Sequence, residues 1–522
     1  MGIFNQSSSQ PQPPSMDKSN VDFVEDVERT STKQDMARTE RVELTEADNK
    51  RIRRKTDKTI LTILVWVYFL QILDKSVLGY GSVFGLKEDT KLVGNQYSLV
   101  GSIAPIAQLV WQPFSSILIV KVPHRILMPC LIMGWGIAQT CMAACTNYSG
   151  LMAARFFLGL FEGGCIPLFS VITSQWYRRA EQPVRVASWY GTNGAATMAA
   201  GALSFGLGHI KSNSIHSWQV IFLFVGLVTV ITAPIVYWKL DNDVTTARFL
   251  SEHEREQAVE RLRANQTGIG SRDFKWDQAW EVLIEPKTYL WISMSLLVNV
   301  GASVTNTFGP LIISGLGYDK YITSLLNMPF GALQLIVILL ASFAAQKAKI
   351  KSMILLALVL PVVAGAAVLY VLPRDNTAGL LVGYYLLASL FGSNPLIVSW
   401  IVGNTAGTTK KSIVMSLYMA GSSAGNIIGP LLFKSKDAPN YHPGLRAVLA
   451  IFVALAAIVL IQLANLMFLN KLNSRRRVKN GKKAVIHDVS MENKYVGNDA
   501  DAPGELEDDL TDGKNDDFVY IY

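Results

Sequence analysis

The sequence predicts an all-α polytopic membrane protein with twelve transmembrane helices in two six-helix halves. Half of its 522 residues are apolar and only 17% are charged, whereas soluble domains carry about 25% charged residues. The charges gather in two tails and one central stretch, and long blocks between them are nearly uncharged. Residues 59–80 and 445–470 are among the blocks that reach the roughly 20 apolar residues a membrane helix needs. A soluble helix would show an amphipathic pattern instead.

Twelve such blocks follow one another along the chain, and each is predicted to cross the bilayer once. Their predicted limits are 59–80, 95–120, 126–145, 149–176, 185–209, 217–239, 289–314, 321–346, 351–372, 378–402, 411–433 and 445–470. The first six spans occupy residues 59–240, and the last six occupy residues 289–470, a stretch of the same length. Two matching halves are the layout of transporters built from internal repeats.

Three further segments flank and connect the halves. Residues 1–58 form a polar tail and residues 471–522 an acidic one, and both are predicted to be disordered and cytosolic. Residues 241–288 form a predicted cytosolic linker, in which "SEHEREQAVERLRANQTG" is typical of an amphipathic helix. Lysine and arginine residues crowd the loops on the side of both tails, and this bias predicts that the termini face the cytosol.

The fourth span contains "ARFFLGLFEGGCIPLF", which carries Arg155 and Glu162. Each ionised side chain at the centre of a membrane helix costs roughly 2.5–3.5 kcal/mol. The first span carries Asp74 and Lys75, whereas the second half carries no charge away from its helix ends. Because Arg155 and Glu162 lie about 10 Å apart along the helix axis, we expect each to need a partner from another helix.

This balanced set of two cations and two anions has two interpretations. It could hold the half together through interhelical salt bridges, although desolvation cancels most of the Coulomb gain of a buried pair. Polar residues in membrane spans more often mark a transport path. On that interpretation Arg155 and Lys75 bind an anionic substrate, Arg155 through two parallel hydrogen bonds. Asp74 and Glu162 accept protons when the substrate takes the charge of their cationic partners.

Uncharged polar side chains at membrane depth are candidates for hydrogen bonds with the substrate, although each is equally suited to bonding another helix. The candidates come from both halves: Gln108, Asn193, Asn306, Asn327 and Asn394. The sequence contains no GxxxxGK[ST] phosphate loop, no HExxH and no GxSxG, which argues against an ATP-driven pump and a membrane hydrolase. We therefore expect no enzymatic activity, no cofactor and no metal site, with the proton gradient as the energy source.

The stretch "ARFFLGLFEGGCIPLFSVITSQWYRRAEQPVRVASWYGTNGAA" resembles spans 4 and 5 of the fungal allantoate permease family, anion:cation symporters of the major facilitator superfamily. "LDKSVLGYG" in span 1 and "WIVGNTAGTTKKSIVMSLYMAGSSAGNIIGPLLF" across spans 10 and 11 are also similar. The resemblance covers about residues 50–470 and implies the major-facilitator fold. It also implies proton-coupled transport of organic anions, with Arg155, Glu162 and Asp74 at the positions that matter in such symporters.

Two positions depart from the family pattern. The second cation of span 1 is Lys75 rather than arginine, and lysine offers a point charge without a planar fork. The loop between spans 2 and 3 reads "SSILIVKVPHRI" and lacks both the glycine and the aspartate of the superfamily's motif. The usual cytosolic latch is therefore not expected at that loop.

Together these observations predict a secondary active transporter that imports a small organic anion by proton symport with alternating access. The anion would be a carboxylate or sulfonate such as a vitamin, a ureido acid or an amino-acid derivative. Two alternatives stay open, namely a nutrient sensor that binds without transporting and a facilitator without proton coupling. The expected partners are the anion, protons and the lipid bilayer, without nucleic acid, and the chain is expected to act as a monomer. The plasma membrane is the expected location, with the endoplasmic reticulum or the vacuole as alternatives.

Overall fold

The computed structural model describes residues 44–83, 85–93, 96–208, 210, 215–263, 273–314, 320–373, 376–432, 442–486 and 509–522. The described part is mainly helical. Its α-helices are α1 (Glu46–Thr56), α2 (Thr62–Val83), α3 (Leu86–Asp89), α4 (Gln96–Lys121), α5 (His124–Met142), α6 (Tyr148–Glu162), α7 (Cys165–Trp176), α8 (Gln182–Gly208), α9 (Ser217–Lys239), α10 (Glu252–Arg263), α11 (Trp276–Ile284), α12 (Pro286–Ser314), α13 (Lys320–Ala348), α14 (Lys351–Val371), α15 (Thr377–Leu386), α16 (Ser393–Gly403), α17 (Thr408–Leu431) and α18 (His442–Lys479).

The predicted all-α membrane fold is confirmed. Nine helical segments among the described residues are long and apolar enough to cross a bilayer. Each of the twelve predicted spans coincides with a helix or an interrupted helix: α2, α4, α5, α6 with α7, α8, α9, α12, α13, α14, α15 with α16, α17 and α18. The short helices α10 and α11 lie between the first six spans and the last six.

Span 4 is interrupted where the sequence predicted a continuous helix. Helix α6 ends at Glu162, and α7 begins after Gly163 and Gly164. Pro167 has no backbone N–H, so the carbonyl of Gly163 four residues earlier has no donor within the helix. The side chain of Gln112 replaces that donor, with its Nε2 3.1 Å from the Gly163 oxygen. A polar group from α4 therefore stabilises a break directly beside a buried carboxylate.

Span 10 is interrupted in a comparable way. A 3₁₀ segment, Leu387–Gly392, separates α15 from α16. Pro395 follows this segment, and its missing N–H removes the helical donor for the carbonyl four residues earlier. In membrane transporters, irregular backbone at membrane depth is tolerated where it is buried in protein or lines a cavity.

Small residues bring neighbouring helices into close contact. A Cβ atom added at Gly159 on α6 would lie 2.4 Å from the carbonyl oxygen of Ala104 on α4. One added at Gly194 on α8 would lie 2.3 Å from the carbonyl oxygen of Gly331 on α13. The second contact joins the first six spans to the last six. Both positions exclude any larger side chain unless the backbones separate.

The variant Gly159→Ala is expected to destabilise the fold, because the new methyl group would meet the backbone of Ala104. Overpacking of this kind costs typically about 1–3 kcal/mol. A thermal melt of the purified protein, followed by intrinsic tryptophan fluorescence, should show a lower midpoint. Gly101→Ala is the matched control, because no atom lies within 4 Å of a Cβ at that position. Equal melting of both variants would contradict the close α4–α6 contact.

One end of the helix bundle carries α1, α10, α11 and residues 509–522, and we call it the tail face. At this end α7 and α8 from the first six spans pack against α16 from the last six. Ser412 on α17 donates a hydrogen bond from Oγ to the carbonyl oxygen of Ser116 on α4, at 3.0 Å. The two groups of six spans are thus in direct contact at the tail face.

The predicted disorder of the tails is wrong for three segments. Residues 46–56 form α1, which begins with Thr45 accepting a hydrogen bond from the Asp48 backbone. Helix α18 continues to Lys479, and residues 509–522 pack against the tail face. Composition describes only what a segment can bury by itself, whereas these segments are stabilised by partners on other helices. Residues 1–43 and 487–508 lie outside the described part.

Candidate functional site

Glu162 is the centre of a buried polar cluster at the break in span 4. Its side chain is 1% exposed. The ammonium nitrogen of Lys75 on α2 lies 3.1 Å from Glu162 Oε1, and Gln108 on α4 donates from Nε2 to Glu162 Oε2 at 2.9 Å. The structure therefore brings three of the predicted site residues together from three helices. Lys75 keeps 37% of its side chain exposed, so this pair is accessible from one side.

Asp74, next to Lys75 in the sequence, belongs to a different environment. Trp135 on α5 donates from Nε1 to Asp74 Oδ2 at 2.8 Å, and the hydroxyl of Thr229 on α9 donates to the same oxygen at 3.4 Å. Asp74 is 1% exposed. Adjacent helix positions point about 100° apart, which explains why Lys75 and Asp74 contact different neighbours. The other oxygen, Oδ1, has no hydrogen-bond partner among the described residues.

Arg155 is the member of the set whose donors are left over. Its side chain lies on α6, two turns before Glu162, and is 5% exposed. Within the described part of the chain, neither Nε nor Nη1 has a hydrogen-bond partner. Asp74, the acidic partner that span 1 could have offered, is instead held by Trp135 and Thr229. A buried guanidinium with unused donors is costly, so this position is suited to an anion.

The uncharged candidates are only partly brought into one network. Tyr418 on α17 donates its hydroxyl hydrogen bond to Asn394 Oδ1 at 2.7 Å, and Asn299 Nδ2 on α12 lies 3.5 Å from the same oxygen. Asn394 thus joins three helices of the second half, beside the interruption of span 10. Asn193 on α8 is partly exposed. Asn306 and Asn327 lie outside the residues whose side chains are described.

An aromatic layer lies between the charged cluster and the tail face. No sequence motif predicted it. Its members are Tyr68, Phe169, Trp189, Tyr190 and Tyr418, all of them buried. The rings of Tyr68 and Tyr190 lie 5.2 Å apart, and those of Phe169 and Trp189 lie 5.6 Å apart. Tyr190 lies on α8 in the first six spans, and Tyr418 lies on α17 in the last six. These buried rings lie along the route from the cluster to the tail face.

Helix direction was the signal that could have located this layer. Tyr68 precedes Asp74 by six residues on a helix that runs away from the tail face. It therefore lies about 9 Å closer to that face along the helix axis. Phe169 follows Glu162 by seven residues on a span that runs toward the tail face, about 10 Å. The two aromatic side chains therefore reach the same depth. Counting residues from Asp74 and from Glu162 toward the tail face would have placed Tyr68 and Phe169 beside each other.

Comparisons with known proteins show the family of the chain. The family model of the Major Facilitator Superfamily matches residues 64–430. The chain is 33% identical over 477 residues to the thiamine pathway transporter THI73 of Saccharomyces cerevisiae, covering 90% of this chain and 86% of that protein. It is 28% identical over 505 residues to the allantoate permease of the same yeast, covering 92% of this chain and 88% of that protein.

Solved structures support the fold. The crystal structure of the human organic anion transporter MFSD10 (TETRAN) aligns with a TM-score of 0.58 at 13% identity. The alignment covers 77% of this chain and 99% of that protein. At this level of identity the similarity concerns the architecture alone.

Proposed function

The chain belongs to the major facilitator superfamily and is a membrane transporter like its allantoate-permease relatives, and on this premise we propose that it imports a small organic anion by proton symport. The observation that carries the proposal is Arg155, whose Nε and Nη1 have no partner among the described residues although the side chain is 5% exposed. The oxygens of a carboxylate or sulfonate would accept hydrogen bonds from these unused donors.

The name of a similar protein supports an anionic substrate. One relative is an allantoate permease, and allantoate is a ureido acid that carries a carboxylate. The proposed cargo class is accordingly a small carboxylate or sulfonate, such as a vitamin, a ureido acid or an amino-acid derivative. Asn193, Asn306, Asn327 and Asn394 remain proposed as hydrogen-bonding groups that select within this class.

Coupling follows from the contacts of Glu162. Its carboxylate is compensated by Lys75, 3.1 Å away, and Glu162 itself is 1% exposed. An anion that binds near Arg155 and Lys75 takes up the lysine charge and leaves Glu162 as an uncompensated buried carboxylate. Taking up a proton removes that charge. Substrate and proton therefore bind together and leave together.

Asp74 is proposed as a second proton acceptor. One of its oxygens is held by Trp135 and Thr229, and Oδ1 is the atom that would take the proton. These contacts join α2 to α5 and α9, so protonation would alter packing within the first six spans. This gives Asp74 a part in the conformational change and leaves substrate binding to Arg155 and Lys75.

Alternating access is supported by the aromatic layer and the contacts at the tail face. Both must separate before a substrate at the cluster can leave toward the tail side. The cytosol is the proposed compartment on that side, and the plasma membrane is the proposed location, with the endoplasmic reticulum or the vacuole as alternatives. The monomer contains the whole cluster, so no second copy is needed.

An uptake screen tests the proposal. Purified protein is reconstituted into liposomes and offered a panel of radiolabelled carboxylates and sulfonates, with and without an imposed pH gradient. We expect at least one anion to accumulate with the gradient and to leak back when a protonophore collapses it. Uptake that only equilibrates would favour the uncoupled facilitator. Saturable binding without any uptake would favour the nutrient sensor.

A further inference from the structure

A groove in the tail face holds residues 509–522, which lie apart from the buried polar cluster around Glu162. Asp512, Phe518 and Tyr520 expose no more than 3% of their surface. The groove is formed by α11, the start of α12, the connection between α16 and α17, and the end of α18. A polar segment with such burial resembles a bound peptide rather than a loose tail.

Two asparagine side chains of the groove form hydrogen bonds with the backbone of this segment. Asn470 accepts a hydrogen bond from the Tyr520 N–H at 2.8 Å and donates one to the Tyr520 carbonyl at 2.8 Å. Asn404 does the same for Ile521, at 2.6 Å and 2.9 Å. The indole nitrogen of Trp400 also donates to the Ile521 carbonyl, at 2.8 Å. Two successive residues thus have their backbone groups paired, as burial requires.

Asp512 is the electrostatic anchor of the segment. Its carboxylate contacts the ammonium group of Lys287 and lies 3.0 Å from that of Lys410. It also accepts hydrogen bonds from the Ala406 N–H at 3.1 Å and from the Tyr520 hydroxyl at 2.9 Å. Asp512 is fully buried, so salt screens these contacts weakly.

The charge on Asp512 persists at cytosolic pH. Burial alone would raise the pKa of this carboxyl, but Lys287 and Lys410 lower it, and the pKa lies well below its ordinary value. A lowered pKa means that the carboxylate stabilises docking at any pH above about 4. That contribution is lost only as the pH falls further. Cytosolic acidification is therefore not the signal that releases the segment.

The docked segment also reaches the first six spans. Arg179, between α7 and α8, donates from Nη2 to the Val519 carbonyl at 2.7 Å. Its guanidinium group lies 4.7 Å from the centroid of the Phe518 ring. Asn404, Asn470 and Lys410, which also contact the segment, belong to the last six spans. Residues 509–522 therefore connect the two groups of spans at the end where they must separate.

We propose that this groove is a binding site for residues 509–522 and that its occupation holds the tail face closed. The segment supplies a contact between halves in a chain whose loop between α4 and α5 lacks the aspartate of the superfamily motif. For the tail face to open, the segment must leave either Arg179 or the groove. The groove contacts mainly the backbone of the segment and the carboxylate of Asp512. A change in residues 509–522 would therefore alter the transport rate while leaving the cluster around Glu162 unchanged.

Hydrogen exchange on the full chain tests the binding step. The amides of Tyr520 and Ile521 are expected to exchange at least about 100-fold more slowly than in a synthetic peptide of residues 509–522, because hydrogen-bonded buried amides exchange only on opening. The double variant Asp512→Ala with Tyr520→Ala should lose at least about ten-fold of this protection. Asn404→Ala, which changes the groove instead of the segment, should have the same effect. Unprotected amides in the unmodified chain would overturn the proposal.

Thiol labelling tests the closing step. Ser412 is fully buried where α17 meets α4, so Ser412→Cys is expected to react slowly with a membrane-permeable maleimide, as followed by site-resolved mass spectrometry. In that background, Asp512→Ala with Tyr520→Ala, and separately Asn404→Ala, should each raise the labelling rate about ten-fold. Lys514→Gln is the control, since Lys514 pairs with Asp277 where both side chains are more than half exposed, and this change should alter neither readout. If the amides are protected but the labelling rate is unchanged in these variants, residues 509–522 do not hold the tail face closed.

Neither measurement needs a substrate. A failure of the proposal that residues 509–522 hold the tail face closed is therefore distinguishable from a failure of the proposed anion symport.

Discussion

Replacing Arg155 with alanine is expected to weaken binding of the transported anion by about 100-fold or more, because truncating one partner of a buried charge pair costs about 2–5 kcal/mol. The side chain is 5% exposed, and two of its donors are unused in the described part of the chain. Equilibrium binding of the anion identified in the uptake screen, to purified protein, measures the loss.

Two variants make this result specific to the guanidinium group. Arg155→Lys keeps the charge but loses the planar fork, so it should retain only part of the affinity. Arg446→Ala removes an exposed arginine that bonds Tyr370 on a neighbouring helix and should bind normally. If Arg155→Ala bound the anion as tightly as the unmodified protein, Arg155 would have no role in recognition.

Replacing Glu162 with glutamine should abolish accumulation driven by a pH gradient. The amide has nearly the same shape and can still accept the hydrogen bond that Gln108 donates at 2.9 Å, but it cannot take up a proton. Exchange of anion across the membrane should partly survive, because the donors of Arg155 remain. Uptake and counterflow in the same liposomes separate the two activities.

The charge on Lys75 requires its own control. Glu162→Gln leaves this ammonium group without the carboxylate 3.1 Å away, and the single variant could be impaired for that reason. The double variant Lys75→Gln with Glu162→Gln removes both charges, so it should fold and remain uncoupled. Glu88→Gln, at an exposed position on α3, should behave as the unmodified protein. Concentrative uptake that persists in Glu162→Gln would show that the proton travels elsewhere.

The membrane architecture could be predicted from the sequence because each span carries its own signal. A helix in a bilayer must satisfy its backbone internally and cover itself with apolar side chains, so length and hydropathy locate it without reference to its neighbours. The predicted span of residues 217–239 coincides with α9, and that of residues 351–372 with α14, within one residue. Charges in such spans are equally conspicuous, which is why Arg155 and Glu162 could be singled out.

The partners of those charges could be predicted only in part. Glu162 and Lys75 do meet, but Asp74 bonds Trp135 and Thr229, residues whose polar atoms nothing in the sequence distinguishes from those of other spans. The break in span 4 lies at Gly163 and Gly164, because Gln112 from another helix bonds the carbonyl that Pro167 leaves free. Contacts between helices depend on rotation and depth, which hydropathy does not report.

By itself, the sequence determined that this protein is an all-α membrane protein with several spans and with buried charges in its first half, since bilayer burial imposes its cost on each helix separately. Tertiary structure alone decided which donors of Arg155 stay unused, which aromatic rings pack between the cluster and the tail face, and where residues 509–522 bind. Those outcomes are set by distances of 3–5 Å between segments far apart in the chain. Local composition predicted disorder for a segment whose stability comes almost entirely from a groove built by other helices.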